Sequence, residues 1–240
     1  MNKNFFFNYD EYDFWPLYDS IKKYYPIGIK KNQEFDIYRN YKGIQELENL
    51  LLDKIGPENT NYDKNWVSFI EAISKELGKN TISTTYGIVP SYSAFIFLES
   101  EGNKDRWKSK ELHFSVSHLG KFYQVYGIEK SVRKSAIISN GEELTFQTEN
   151  LRKIVVSPVG EYKNYFERIE NYITEEFKEY RLVPFKIGQT IIDGLQILHL
   201  DNEKCSINMA LFNDFVGFGE EVDEVEPEGN LSYGMENWKK

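Results

Sequence analysis

The stretch from Glu111 to Lys130 constrains the chain most strongly. It reads ELHFSVSHL, then Gly120-Lys121, then FYQVYGIEK. Two β-rich runs split by a Gly-X pair are the signature of a type II′ hairpin. A two-residue loop predicts Leu119 opposite Phe122, His118 opposite Tyr123, Ser117 opposite Gln124, Val116 opposite Val125 and Ser115 opposite Tyr126. Side chains alternate across a strand, so one face is expected to carry His118, Val116 and Phe114 with Tyr123 and Val125. The other carries Leu119, Ser117 and Ser115 with Phe122, Gln124 and Tyr126, and is partly polar.

Further strands and helices surround this hairpin. Ser91 to Glu99 (SYSAFIFLE) is apolar on both faces in its middle, which predicts a strand near the sheet centre. Leu144 to Phe146 and Lys153 to Val156 are shorter strand candidates, the first preceded by an Asn140-Gly141 turn. Ile44, Leu47, Leu51 and Ile55 mark a helix stopped by Gly56-Pro57. Trp66, Phe69, Ile70, Ile73 and Leu77 mark a second, with Gly78 suited to a left-handed C-terminal cap. A long helix near 158–181 is predicted to start at Ser157-Pro158, as N-cap and first-turn proline, and to carry a stripe from Tyr162 through Phe166, Ile169 and Ile173 to Tyr180. A shorter helix is expected near Phe14 to Tyr24. Leu195 to Leu200 and Cys205 to Phe212 flank a turn at Asp201 to Lys204, and the second fits strand or helix. Early helices, central strands, then a helix and more strands do not alternate as a parallel α/β fold does. The expected class is α+β, with helices packed against an antiparallel or mixed sheet.

A chain of 240 residues buries a sizeable core without staples, so residues 1–218 are expected to form a single domain. From Gly217 onward glycine, acids and Pro227 predict an acidic, weakly ordered C-terminal tail, 219–240. Aromatic residues make up 16% of the chain, and many must be internal, because each buries roughly 150–250 Å². Cys205 has no cysteine to pair with, which makes the cytoplasm the expected location. Phe5, Phe6 and Phe7 are followed by Asp10 and Glu11, too short an apolar run for a signal peptide. No stretch is apolar for long enough to cross a bilayer.

The net charge of −9 is concentrated at the C-terminal end. Over 219–240, Glu220, Glu221, Asp223, Glu224, Glu226, Glu228 and Glu236 stand against Lys239 and Lys240, giving −5 and leaving −4 for the other 218 residues. Such a balance argues against binding a phosphate backbone and favours a basic partner. Glu220, Glu221, Asp223, Glu224, Glu226 and Glu228 are the candidate partner-binding residues; the alternative is a solvated run that only aids solubility.

No motif fixes a reaction. His113 and His118, five apart on one strand, point to opposite faces and cannot share an ion. His199 and Cys205 approach across a turn, but two ligands do not make a zinc site, and no metal or other cofactor is expected. A thiol beside an imidazole is a possible nucleophile, although a lone cysteine is more often a buried small hydrophobe. Neither a Gly-x-Ser-x-Gly elbow nor a phosphate-cradling glycine loop occurs. Glu167, Glu170, Glu175, Glu176 and Glu179 line the long helix opposite its aromatic stripe and read as a solvated face. The basic pairs Lys22-Lys23 and Lys30-Lys31 are short.

LHFSVSHLGKFYQVYGI (Leu112 to Ile128) and KIVVSPVGEYKNYFERIENYI (Lys153 to Ile173) resemble bacterial proteins, common in Bacteroidetes, associated with the immunity proteins of polymorphic toxin systems. The resemblance implies a non-catalytic cytoplasmic protein that neutralises a toxin by tight binding, with a basic toxin domain as the expected partner. It carries over no active-site residue. The competing readings are a hydrolase-like enzyme with a carboxylate or Cys205/His199 site, and a scaffold module.

Overall fold

The structure, a computed structural model, describes residues 10–55, 64–85, 89–139, 142–198, 200, 204–212 and 225–240. Within them Trp15–Tyr24 (α1), Phe35–Arg39 (α2), Lys42–Ile55 (α3) and Lys64–Leu77 (α4) precede the strands Thr81–Ser83 (β1), Ser91–Gly102 (β2), Arg106–Ser117 (β3), Phe122–Ser139 (β4) and Glu142–Val155 (β5). Lys163–Glu176 (α5), Arg181–Leu182 (β6), Phe185–Gly188 (α6) and Ile207–Leu211 (α7) follow. The sheet order is β1-β2-β3-β4-β5, antiparallel throughout, with the short β6 parallel to β4. The chain is therefore α+β, with helices against a mainly antiparallel sheet.

β3 and β4 form the expected hairpin in a different register. Val116 faces Tyr123, Phe114 faces Val125 and His113 faces Tyr126, two residues away from the two-residue-loop pairing, so the loop holds 118–121. Leu119 and Phe122 explain the slip: both are drawn into a core with Leu17, Ile21 and Leu211, and Ser117 Oγ accepts the Leu119 N–H at 3.1 Å. A slip of two leaves every side chain on its face, and the predicted division of faces is what the sheet displays. Tyr92, Ala94, Ile96, Leu112, Phe114 and Val125 pack under α4 and α5. These helices present Trp66, Ile70 and Ile73, and Phe166, Ile169 and Ile173. Trp66 lies among Tyr92, Phe69 and Phe114, with centroids 5.1, 5.4 and 5.9 Å away. The opposite face is polar and buried: Ser93 Oγ is bonded to Ser91 Oγ at 3.1 Å and to Ser115 Oγ at 2.9 Å.

Two bulges divide the sheet. The register skips Leu98 in β2 and Arg152 in β5, and an extra residue bends and twists a strand locally. It also explains why β5 reads as two short candidates: the skipped Arg152 breaks the alternation of what is one strand. The apolar face ends at this line, and beyond it β2–β5 continue as an exposed arm.

The long helix is shorter than predicted. A 3-10 turn, Gly160–Tyr162, leads into α5, which stops at Glu176. Phe177 leaves the helix to set its ring edge-on to Phe69 at 5.5 Å, and Glu179 takes a left-handed φ of 69°, turning the chain into β6. Ser157 caps nothing; its Oγ accepts the Asn230 N–H at 2.9 Å. Among the described residues of the expected Leu195 to Leu200 strand, 195–198 and 200, no strand forms. Leu195 makes one isolated bridge to Ile27, while Leu195 and Ile197 are buried among the first helices. Cys205 to Phe212 resolves as helix α7, with Ser206 Oγ accepting the Met209 N–H at 3.2 Å. Gly78 does close α4 with φ +59°. The Asn140-Gly141 and Gly56-Pro57 turns lie outside the described residues.

The weakly ordered tail needs correcting over 225–240. Glu228 exchanges backbone hydrogen bonds with Ile154 and Val156 at 2.8 and 3.0 Å, which extends the sheet beside β5. Gly229, at φ +107°, lies so close to Ser157 that a Cβ would come within 2.4 Å of its Oγ. Trp238 is fully buried between Phe14 and Phe122, with centroids 5.4 and 5.9 Å away, and its Nε1–H donates to Leu182 O at 2.8 Å. Asp13 N–H donates to Trp238 O at 2.8 Å, joining the two ends of the described chain. A fully buried indole cannot be removed cheaply: Trp238→Ala is expected to lower unfolding stability by about 3–5 kcal/mol. Urea denaturation measures this, and an unchanged midpoint is the result a loose tail gives.

Candidate functional site

The sequence candidates separate sharply. Cys205 is fully buried within the first helical core, and His199 lies outside the described residues, as do Glu220, Glu221, Asp223 and Glu224. Glu226 is exposed. Glu228 is committed through its backbone to the sheet and through its carboxylate to Lys153 Nζ at 3.0 Å. Lys31 belongs to no surface patch, since its Nζ donates to Leu200 O at 2.6 Å and fastens the loop that carries it. Among the described residues no three of His, Cys, Asp and Glu converge on a metal position, and no helix is long and apolar enough to cross a membrane.

Two acids, Glu111 buried and Glu170 half-buried, hold structure together. On the polar sheet face Glu111 receives Ser109 Oγ at 2.8 Å, His113 Nε2 at 2.9 Å and Lys130 Nζ at 3.2 Å. Burial alone pushes this carboxyl up, but the donors together outweigh it and hold it below the usual range. Burial pushes the His113 imidazole down, so the neutral ring donates to the carboxylate while stacked between Phe95 and Tyr126, at 5.0 and 5.3 Å. Ser109 resembles a nucleophile only in composition: its hydroxyl proton already points at the acid, and the imidazole bonds the carboxylate instead of the serine.

Glu170 departs from the solvated helix face expected of it. It sits on α5 beneath the C-terminal segment, where Tyr233 Oη donates to Oε2 at 2.6 Å and Tyr123 Oη to Oε1 at 3.5 Å. Burial pushes its carboxyl up to about 7, although both hydroxyls pull it down. It thus pins residues 225–240 to α5.

The exposed arm brings together groups of a different kind. β3 runs past the bulge line without interruption, so the face bearing Phe114 and Leu112 goes on to bear Lys110, Lys108 and Arg106. Opposite these on β4 stand Glu129, Ser131 and Arg133, and β5 adds Asn150 and the bulged Arg152. Arg106, Lys108, Ser131, Arg133, Asn150 and Arg152, edged by Glu101, line a groove of about 540 Å³. A hollow of about 230 Å³ adjoins it. The hollow, which Lys108 and Arg152 also line, holds matched pairs: Lys110 meets Glu99 at 2.7 Å and Glu161 at 2.9 Å, and Glu129 meets Lys153 at 3.2 Å. The cations of the groove are not matched in this way. Among the described residues Arg106, Lys108, Arg133 and Arg152 form no ion pair, and Arg106 lies directly across the ladder from Arg133. Like charges placed opposite each other destabilise a sheet. Four cations against Glu101 thus create a local positive field on a chain of net charge −9.

Sequence reasoning missed this groove. Its trace is the alternation Arg106, Lys108, Lys110, which any solvated strand can show. Register supplied the rest, because the two-residue loop would have set Ser135, not Arg133, opposite Arg106. No protein-family model, curated protein or solved structure matches the chain.

The raised Glu170 carboxyl has a pH signature. Its folded value, about 7, exceeds the unfolded value of about 4.3, so between them the folded state holds more protons and stability falls as pH rises. Glu170→Gln is expected to melt about 2 °C or more above the parent at pH 8, with the gap closing as pH approaches 4.5. Thermal melts across this range measure it; a gap independent of pH contradicts the raised carboxyl.

Proposed function

We propose that the protein is a non-catalytic, cytoplasmic binding protein that neutralises a toxin by occluding it, and that the exposed β-arm is its docking surface. The observation that carries this reading is the groove, where four cations unpaired among the described residues are held on a rigid antiparallel ladder. A folded chain gains nothing internally from setting Arg106 against Arg133, whereas a partner that neutralises both recovers the cost on binding. Leu144 and Phe146 add exposed apolar surface farther along the arm, 49% and 46% accessible. Aromatic and arginine side chains are the usual energetic centres of protein interfaces. The hairpin and helix entrance that resemble immunity proteins belong to the same sheet and to α5, and Glu111 and Glu170 are occupied by internal hydrogen bonds.

Co-expression with toxin domains encoded beside its gene tests the reading. Protection of growth is expected only at equal or greater expression of this chain, together with a stoichiometric complex and a toxin of unaltered mass. Protection at substoichiometric levels, or a covalently changed toxin, replaces occlusion with catalysis. Full toxicity at equal expression removes the toxin reading.

A further inference from the structure

The groove's geometry specifies its occupant, given the binding reading above: we infer that it receives an extended acidic segment of the partner, with carboxylates at alternate positions. Arg106 and Lys108 are two residues apart on one strand and share a face, which separates their origins by about 6.7 Å. Alternate residues of an extended peptide repeat at that same distance. Arg133 stands directly across from Arg106, at about 5 Å on the neighbouring strand, so one carboxylate can meet two guanidinium groups. Their planar forks match the two oxygens of a carboxylate. Ser131 and Asn150, beside them in the groove, offer neutral hydrogen bonds to the peptide backbone. Leu144 and Phe146 share this face past Arg133, opposite Ile137 and Ser135, and give the same segment an apolar contact.

A short acidic segment fits better than a nucleic acid. Glu99, Glu101 and Glu129 lie along the same groove and hollow, so a continuous phosphate backbone meets repulsion as soon as it leaves the four cations. The net charge of −9 opposes it at longer range. Carboxylates spaced along a peptide end where the cations end. The acidic balance of the whole chain, which points to a basic partner, is thus reversed locally at this surface.

Fluorescence anisotropy tests this with the full chain and a labelled extended peptide of alternating Glu and Thr, its Gln-for-Glu counterpart, and a single-stranded DNA of similar length. The acidic peptide is expected to bind, and to weaken as salt is raised. R106E/R133E is expected to reduce its affinity at least tenfold. K121E, which changes an exposed lysine paired with Glu179 elsewhere, leaves it within twofold. R133Q separates binding from folding: it is expected to weaken the peptide threefold or more while keeping or raising the unfolding midpoint, because it relieves the Arg106 repulsion. Unchanged affinity in R106E/R133E, equal binding of the Gln peptide, or tighter binding of the DNA overturns the inference. If R106E/R133E still protects cells and forms the stoichiometric complex, the groove is not the contact and occlusion stands. If the unaltered chain binds the peptide but gives no protection, the groove stands and the toxin reading falls.

Discussion

The antiparallel ladder between β3 and β4 is the interaction on which the remainder depends, because both strands run unbulged from the covered half of the sheet into the exposed arm. Alternation along it commits Val116, Phe114 and Leu112 to the core beneath α4 and α5, then commits Lys110, Lys108 and Arg106 to the same side beyond the helices. Core and groove are successive parts of one face. The bulges at Leu98 and Arg152 lie in the flanking strands β2 and β5, so the sheet bends where its cover ends while β3 keeps its phase. Rigidity of the packed half is thereby passed to the arm through backbone hydrogen bonds.

Closure at the other end of the sheet comes from the C-terminal segment. Glu228 extends the ladder beside β5, Tyr233 reaches Glu170, and Trp238 fills the space between Phe14 and Phe122. The Arg181 guanidinium lies 4.2 Å from the Trp238 ring centroid, a geometry in which cation and π face attract. These contacts join the first helix, β4, β6 and the end of the chain around one indole. The acidic composition of this segment disguises a structural role, since Glu228 anchors through its backbone while the carboxylates of Glu226 and Glu236 stay on exposed residues.

Charge is distributed to opposite effect in the two regions. Where lysines meet acids on the sheet, as at Lys110 and Lys153, the pairs connect strand to strand and strand to loop. At Arg106 and Arg133 the same ladder holds like charges together. Surface pairs contribute little individually, so the matched ones do not explain why the unmatched ones persist. The repulsion between Arg106 and Arg133 is thus left without an offsetting ion pair among the described residues.

Periodicity in the residues settled the local elements: the hairpin strands, the helices around Trp66 and Ile44, and the division of the sheet into an apolar and a polar face. These depend on near neighbours, and a register slip of two leaves them intact. Leu119, Phe122, Phe177 and Trp238 were decided otherwise. Each leaves its local pattern to fill a space made by distant segments, lengthening the hairpin loop, ending α5 early and turning a presumed tail into core. Glu170 was equally hidden, because nothing in its helix shows that Tyr233 will cover it. The groove is the extreme case. Its cations are legible one strand at a time, but only the pairing of β3 with β4 and the bulge at Arg152 place them together, since register across a sheet is set by the whole core and not by either strand.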